Sequence, residues 1–449
     1  MGKKKKKKLR KAKYDPITTL SPICFHGNLE ALAQDLYEKA CKGSQPVWEK
    51  FETSEPRFPH NSDLSKEFYK LSHQGMRAAQ DTMLQHILAN PTLDYQHKLL
   101  FRGIADTMAW SMIDDQLCYA RRLYKEQCQP SLYCSSLDTV IVAADSIMDE
   151  DEDKFALISD LTSFVQVGDL LTFSPNEGLG MAEVKSGKVN HRIHDFIQTY
   201  SKTQCERLAE RFFKHEDNNT IKQMGRMMRQ NDRMLHFSEV MKSGLSIDPD
   251  TNEKIHIPDE FIEIETWNEV LIDVLEQSDT KSFALDIIDS CLFVASYSGT
   301  SYHAGHLLFN TWFDEFGGTE ACPRSKLSDS LLDPLALPIF QLNISEKHKF
   351  DILFGRKTVC VGIVIEKLLE ECKKQGWSVR EATNKEKGKL IQNKHLPYMH
   401  KGKPIFIGNG LSEMVLMEGI FLRSLYHGQK PISILKHYLA NLNNIQREQ

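Results

Sequence analysis

The sequence lacks the features that mark a secreted or membrane protein. It contains no apolar run of 18 residues, the length that a helix needs to cross a bilayer. Its start, Met1 to Lys13, has the charge of the first segment of a signal peptide, but the apolar segment that should follow is missing. Its ten cysteines include no Cys-x-x-Cys pair and are too sparse in 449 residues for a disulfide framework. We therefore expect a cytoplasmic protein with reduced thiols and no membrane partner, and a zinc site built from distant cysteines is the less favoured alternative.

The chain also lacks a large excess of either charge. Its net charge of −5 argues against a general polyanion-binding body, so any contact with nucleic acid must come from local basic patches. The lysine run at 3–8 is the first such patch, within a tail over 1–13 that we predict to be disordered because like charges repel and nothing apolar is there to bury. Added phosphate affinity and a purely solubilising role both remain open for this tail.

The 449-residue length is that of a multidomain enzyme. The pattern of apolar residues after the tail indicates three regions. Residues 14–130 have apolar residues at helical spacing, ending in a long predicted helix over 95–127. Residues 131–245 alternate like strands and then form two helices, predicted at 194–214 and 219–242. Residues 246–449 have a mixed α/β texture with no motif that fixes an activity. The predicted strands are 139–142, 155–158, 168–173, 180–184, 359–365, 377–380 and 404–408, and further helices are predicted at 366–375 and 411–427.

The segment Val167 to Lys185 predicts a hairpin that brings two carboxylates together. Proline, asparagine and glycine between 174 and 178 supply a turn, so the flanking strands should pair antiparallel. If the register is symmetric about Asn176, Asp169 lies directly opposite Glu183, with Cβ atoms about 5 Å apart. Side chains alternate along a strand, so Lys185 should lie on the same face as Glu183.

Two carboxylates at this distance repel each other, and a divalent cation removes that cost. A site of oxygen ligands without histidine or thiolate favours Mg²⁺ or Mn²⁺ over zinc. The ammonium of Lys185 could orient an attacking water or stabilise charge that develops on a phosphate. The competing interpretation is a surface hairpin with ordinary exposed ion pairs, each of which contributes little to stability.

An aspartate, a short spacer and then Glu183-Val-Lys185 on the next strand resemble the core of the PD-(D/E)XK nucleases. The resemblance covers about 155–235 and implies a restriction-endonuclease-like fold, a mixed sheet flanked by helices. It also implies that Asp169 and Glu183 bind the metal and that Lys185 serves the nucleophile. Gly168 departs from the pattern, since a proline stands at that position in the family name.

The resemblance further implies one more acidic residue, supplied from the preceding helix. The sequence does not select one, and Asp160 is a further candidate from the loop before the hairpin. The candidates on the helix are Asp106, Asp114, Asp115 and Glu126.

The predicted helix over 219–242 has a two-faced layout. One narrow stripe is basic, and the opposite side is rich in methionine, which we expect to be core. In the family this helix flanks the active site and often carries glutamine and arginine, which Gln223 and Arg226 match. A stripe there would bind phosphates, although a basic face in contact with water alone is equally compatible with the sequence. The stripe consists of Lys222, Arg226, Arg229 and Arg233.

These observations predict an α/β protein with a restriction-endonuclease-like core, a helical N-terminal region and an α/β C-terminal region. The expected function is metal-dependent hydrolysis of phosphodiester bonds in nucleic acid, DNA in preference to RNA, in a defence or repair setting suggested by the fold alone. The alternative is a catalytically inactive nucleic-acid-binding or assembly protein with the same fold. A third possibility places the activity, such as ligand sensing, in residues 246–449. The sequence does not determine the oligomeric state.

Overall fold

The computed structural model describes residues 24–50, 63–125, 131–133, 137–185, 187–247, 254–257, 264–392 and 397–447. The predicted disordered tail over 1–13 lies outside these ranges. The chain divides into two compact units, one formed by residues 28–259 and the other by residues 260–449 together with the chain before residue 28. Among the described helices, none combines the length and the apolarity that crossing a bilayer requires.

The first unit contains both the segment predicted as a helical N-terminal region and the segment predicted as the nuclease-like core. Its helices are α1 (Glu30–Lys42), α2 (Gln45–Lys50), α3 (Asp63–Ala89), α4 (Tyr95–Met112), α5 (Leu117–Leu123), α6 (Leu137–Glu150), α7 (Lys188–Thr203), α8 (Glu206–His215) and α9 (Asn218–Ser243). Its strands are β1 (Phe155–Ile158), β2 (Leu170–Ser174), β3 (Gly178–Ala182), β4 (Leu245–Ile247) and β5 (Lys254–His256).

Helix α9 begins and ends where its capping residues predict. The side chain of Asp217 accepts a hydrogen bond from the amide of Thr220, which satisfies one of the free N–H groups of the first turn. Gly244 adopts φ +63° directly after the helix, the left-handed conformation that commonly ends one. The predicted helix over 219–242 is therefore confirmed to within one residue at each end.

The predicted strand at 139–142 is wrong, because these residues lie inside α6. Val140, Ala144 and Met148 are buried at intervals of four residues, while Val142 is 68% exposed. The buried residues of this segment therefore follow helical spacing. The β-branched run at 139–142 was predicted as a strand because a short apolar run does not distinguish a strand from a helix.

Two helices predicted as continuous are each broken. The helix over 95–127 ends at Met112, and Asp114 and Asp115 then both adopt φ +52° before α5 begins at Leu117. The predicted helix over 194–214 is likewise divided between α7 and α8 at Gln204, which adopts φ +47°. Residues other than glycine are uncommon in the left-handed region, so neither break has a clear signal in the sequence.

Strands β1, β2 and β3 form an antiparallel meander in that order. In the β2–β3 hairpin Leu170 pairs with Ala182 and Ser174 with Gly178, so the register is symmetric about Asn176 as predicted. All four residues of β1 are buried, whereas β3 is half-buried along its length. Within the described residues every strand pairing is antiparallel and no fourth strand joins this sheet, so the mixed sheet of the predicted restriction-endonuclease-like core stays a prediction.

The outer edge of β1 is covered by one side chain from α3. The amide nitrogen of Gln80 donates to the carbonyl of Ala156 at 3.1 Å, and its carbonyl oxygen accepts from the amide of Ile158 at 2.9 Å. Gln80 is buried, so the two backbone groups have this side chain in place of a neighbouring strand. The side chain of Gln80 therefore occupies the edge of β1 at which a further strand would otherwise pair.

We expect Gln80→Leu to destabilise the protein by roughly 2–5 kcal/mol, because it leaves a buried N–H and a buried C=O without partners. Gln74→Leu is the matched control, since Gln74 lies on the same helix but is exposed. The measurement is the urea-unfolding midpoint of both variants. Equal midpoints would show that water or another group can replace the side chain of Gln80.

The second unit has a similar mixture of helices and small antiparallel sheets. Its helices are α10 (Asn268–Lys281), α11 (Tyr302–Glu315), α12 (Glu346–Leu353), α13 (Ile365–Lys374), α14 (Asn384–Gln392), α15 (Glu418–Tyr426) and α16 (Pro431–Arg447). Its strands are β6 (Phe283–Ile288), β7 (Leu292–Ser298), β8 (Arg324–Lys326), β9 (Lys357–Ile363), β10 (Ser378–Glu381), β11 (Met399–His400), β12 (Lys403–Gly408) and β13 (Glu413–Val415).

One sheet of this unit has the order β6-β7-β9-β8, and a second has the order β10-β12-β11 with β13 also paired to β12. The predicted strands at 359–365, 377–380 and 404–408 correspond to β9, β10 and β12. The helix predicted at 366–375 corresponds to α13. The helix predicted at 411–427 begins only at Glu418, as α15, because β13 occupies the start of that segment. The chain as a whole is thus a mixed α/β protein, as predicted.

Candidate functional site

Asp169 lies where the backbone departs from the regular ladder at the open end of the hairpin. Its amide donates to the carbonyl of Ala182 at 2.9 Å, although Ala182 is already the partner of Leu170. Two residues of one strand therefore oppose one residue of the next, as in a β-bulge. Gly168 precedes it with φ +76°, a value that proline cannot adopt. The departure of Gly168 from the family pattern thus has a local structural cause.

The carboxylate of Asp169 turns toward the opposite strand. Its Oδ2 accepts a hydrogen bond from the amide of Val184 at 2.7 Å, which fixes it beside Glu183. The paired register extends only to Leu170 and Ala182, and the bulge places the backbone of Asp169 against Ala182, so the predicted direct opposition of Asp169 and Glu183 stays a prediction.

Glu183 and Lys185 form a half-buried ion pair next to Asp169. The ammonium of Lys185 donates to Oε1 of Glu183, and their side chains are 20% and 15% exposed, respectively. The second carboxylate oxygen, Oε2 of Glu183, is buried and has no hydrogen-bond partner among the described residues. A buried carboxylate oxygen without a donor is costly, and it is a vacant acceptor at the centre of this site.

Burial dominates the electrostatics of both carboxylates. It raises the pKa of Asp169 above 3.8, against the lowering effects of the Val184 amide and the charge of Lys185. It also raises the pKa of Glu183 above 4.5, opposed by the hydrogen bond from Lys185 and assisted by the charge of Asp169. The site therefore holds two acids whose ionised forms are disfavoured by partial desolvation, a property typical of functional sites but also found in structural networks.

Of the candidate further acids, Asp106 and Asp160 have other partners. Asp106 is buried on α4, where desolvation raises its pKa to about 7, and its Oδ1 accepts from the amide of Ser163 at 2.6 Å. The charges of Asp106 and Asp160 both act on Arg102. Asp114 and Asp115 are exposed in the turn after α4, and Glu126 lies outside the described residues.

A residue of α9 that the sequence did not single out reaches the site. Gln230 lies close enough to the carboxylate of Glu183 to lower its pKa. The predicted Gln223 instead donates to Oδ1 of Asn190 at 3.4 Å. The two glutamines are seven residues apart, so they share a helix face at different heights. The predicted Gln223 therefore lies on the face of α9 that meets the site, but about two helical turns away from the residue that reaches Glu183.

The basic stripe of α9 runs beside this contact. Lys222, Arg226 and Arg229 are exposed and Arg233 is half-buried, and in the described part of the chain none of the four is in an ion pair. Arg226 lies four residues before Gln230 and Arg233 three residues after it, which makes both of them neighbours of Gln230 on the helix surface. The predicted methionine core face is confirmed only in part: Met224 and Met227 are buried among residues of α7 and α8, whereas Met228 is 47% exposed.

The remaining charges of the α7 to α9 region reinforce this local positive character. Residues 188–243 contain 11 lysines and arginines and 7 aspartates and glutamates, a difference of +4, whereas the whole chain has −5. The region that borders Glu183 is therefore locally basic within a chain of net negative charge.

The site contains two carboxylates rather than three. No group of three or more histidine, cysteine, aspartate and glutamate side chains in the described ranges is arranged to hold a metal ion. Comparison of the chain with protein-family models, curated proteins and solved structures gives no match.

Proposed function

We propose that the protein is a Mg²⁺- or Mn²⁺-dependent nuclease that hydrolyses phosphodiester bonds in nucleic acid, DNA in preference to RNA, with Asp169, Glu183 and Lys185 at its centre. The observation that carries the proposal is the buried, unpartnered Oε2 of Glu183 beside Asp169 in a hairpin of matching register. An ordinary surface hairpin would leave these groups in water, where each ion pair contributes little.

The residues present suit a hard divalent cation. Mg²⁺ is commonly held by one or two carboxylates, with waters and substrate phosphates completing its coordination, so Asp169 and Glu183 are sufficient protein ligands. When bound, such an ion polarises the phosphoryl oxygen and lowers the pKa of a water nucleophile. A cation would also offset both burial, the main cause of the raised pKa of Glu183, and the smaller repulsion from Asp169.

The chain's own residues would supply orientation and charge. Lys185, on the same side as Glu183, would donate to the attacking water or to a phosphate oxygen as negative charge develops there. Gln230, which lies beside the carboxylate of Glu183, would help to orient it. The stripe of Lys222, Arg226, Arg229 and Arg233, with Gln223 on the same helix, would bind the phosphates of the strand beside the site.

A non-catalytic nucleic-acid-binding or assembly protein is the second candidate. The observation in its favour is the direct ion pair between Lys185 and Glu183, which partly satisfies the carboxylate without a metal. A protein of this kind would keep the phosphate affinity of the stripe but would neither bind a divalent cation at Glu183 nor cleave.

The proposal predicts that Mn²⁺ binding weakens as the pH falls toward the pKa values of Asp169 and Glu183. Protons compete with the metal for both carboxylates, and because burial raises both pKa values, the competition begins above the ordinary values of 3.8 and 4.5. Each carboxylate that must lose a proton contributes up to about a tenfold loss of affinity per pH unit. Calorimetric titration with Mn²⁺ at several pH values measures this dependence.

The matched control is Glu177→Gln, since Glu177 is an exposed glutamate at the other end of the same hairpin. It should leave the affinity and its pH dependence unchanged, whereas Glu183→Gln should weaken binding at every pH. Cleavage of labelled DNA and RNA with Mg²⁺ or Mn²⁺, against a chelator control, completes the test. Absence of both metal binding and cleavage in the wild-type protein would refute the nuclease proposal and leave the second candidate.

A further inference from the structure

The loop between β1 and β2, residues 159–169, leads directly into the proposed site. The amide of Ser159 donates to the carbonyl of Asp169 at 2.9 Å, so the two ends of the loop are tied together. Phe164, Val165 and Val167 are buried within it. The position of Asp169 therefore depends on how this loop is held.

Helix α4 also holds this loop, through the side chains of Asp106 and Arg102. The Oδ1 of Asp106 accepts the amide of Ser163 at 2.6 Å. The guanidinium of Arg102, one turn earlier, donates to the carbonyls of Thr162 and Asp160. Adjacent backbone groups of the loop are thus bound by side chains four residues apart on one helix face.

Aromatic packing and a second backbone contact complete this attachment. The ring of Trp110 on α4 lies 5.3 Å from that of Phe164, centroid to centroid. The amide of Gln166 donates to the carbonyl of Leu123 at 2.9 Å, and its side chain accepts from the amide of Lys125 at 2.7 Å. The directional hydrogen bonds of Asp106 and Arg102 therefore fix the register of the loop on α4, and the one at Ser163 is made by a side chain that can be replaced by an isosteric acceptor.

We propose that Asp106 is a positioning residue that sets Asp169 in the site by holding the backbone of Ser163, rather than a third metal ligand. This inference rests on the proposed function for its catalytic consequence, but the attachment itself does not. Two observations separate the roles. The Oδ1 of Asp106 is already used by Ser163, and the charged group that acts on Asp106 is Arg102 on its own helix, not a residue of the Asp169–Glu183 pair.

The two roles differ in what they require of the side chain. A metal ligand must supply negative charge, whereas holding Ser163 requires only an oxygen acceptor of the right length. Asparagine keeps that acceptor and removes the charge, and leucine keeps the approximate size and removes both. Since desolvation raises the pKa of Asp106 to about 7, a neutral side chain is already close to what this position holds at neutral pH.

The test compares Asp106→Asn and Asp106→Leu by Mn²⁺ titration and by Mg²⁺-dependent cleavage. For a positioning residue, Asn retains metal affinity and cleavage to within about threefold, while Leu lowers metal affinity by about 10 to 100-fold, the range found when the support of a ligand is lost. A loss of affinity in Asp106→Asn as large as in Asp169→Asn would overturn the proposal in favour of a ligand. Wild-type affinity and kcat in folded Asp106→Leu would overturn it in favour of a purely structural role.

Hydrogen exchange of the peptide over 159–169 tests the attachment without reference to activity. Exchange should be faster in Asp106→Leu and unchanged in Asp106→Asn and in Asp114→Asn, an exposed control just beyond the end of α4. Arg102→Met is the second variant if Asp106→Leu fails to fold, and it should accelerate exchange in the same peptide. Unchanged exchange in both Asp106→Leu and Arg102→Met would overturn the attachment. A wild-type protein that neither binds metal nor cleaves would refute the proposed function alone.

Discussion

Asp169→Ala, Glu183→Ala and Lys185→Ala are each expected to abolish metal-dependent cleavage while leaving the protein folded. A Lewis acid and a placed cation each contribute several kcal/mol to transition-state stabilisation, and each 1.36 kcal/mol is a factor of ten, so the loss should be on the order of 10³-fold. Folding should be retained because burial makes the ionised form of both carboxylates unfavourable. Single-turnover cleavage of a labelled duplex measures the chemical step.

Metal titration divides these three variants into two classes. Asp169→Ala and Glu183→Ala remove a proposed ligand and should weaken Mn²⁺ binding. Lys185→Ala should not weaken it, because its ammonium, which contacts Oε1 of Glu183, would compete with the cation for that oxygen. Glu177→Ala, at the turn of the hairpin, is the control that should behave as wild type. Wild-type cleavage in all three variants would exclude this site, and equal metal affinity in all three would exclude the assignment of ligands.

The hairpin could be predicted because its register depends on local chemistry. The turn around Asn176 fixes which residues face each other, and a shift of one residue would move every buried side chain of β2 to the other face. The same holds for α9, where Asp217 and Gly244 mark its ends by capping interactions that involve only neighbouring residues. These features use short-range rules, so one sequence is enough to apply them.

The elements that were mispredicted or missed depend on long-range contacts. Val140 belongs to a helix whose buried face also includes Ala144 and Met148. The four residues 139–142 alone do not contain that information. Gln230 rather than Gln223 meets Glu183 because the height at which α9 crosses the hairpin depends on the packing of α7 and α8 beneath it. Asp106 was one of several acids on a predicted helix, and only the path of the loop over 159–169 distinguishes it.

The last prediction separates the binding of nucleic acid from its cleavage. If the stripe on α9 contacts phosphates, Arg226→Gln/Arg229→Gln should lower nucleic-acid affinity without changing metal affinity. Glutamine has a helix propensity close to that of arginine, so α9 should remain intact. Two lost phosphate contacts should reduce the slope of log affinity against log salt by about 1.8 on duplex DNA or about 1.4 on single strands.

The matched control is Arg207→Gln/Arg211→Gln, which removes two exposed arginines from α8. They lie four residues apart in the same basic region, so the control has the same net charge as the test variant but keeps the stripe. A change in slope only for the α9 pair would locate the phosphate contacts beside Gln230 and Glu183. An equal change in both variants would indicate a diffuse electrostatic effect, and no change in either would mean that the stripe is only a solvated face. Asp169→Ala should show the opposite behaviour, retaining the salt slope while losing cleavage, because the proposed function places that carboxylate at the reaction centre rather than along the bound strand.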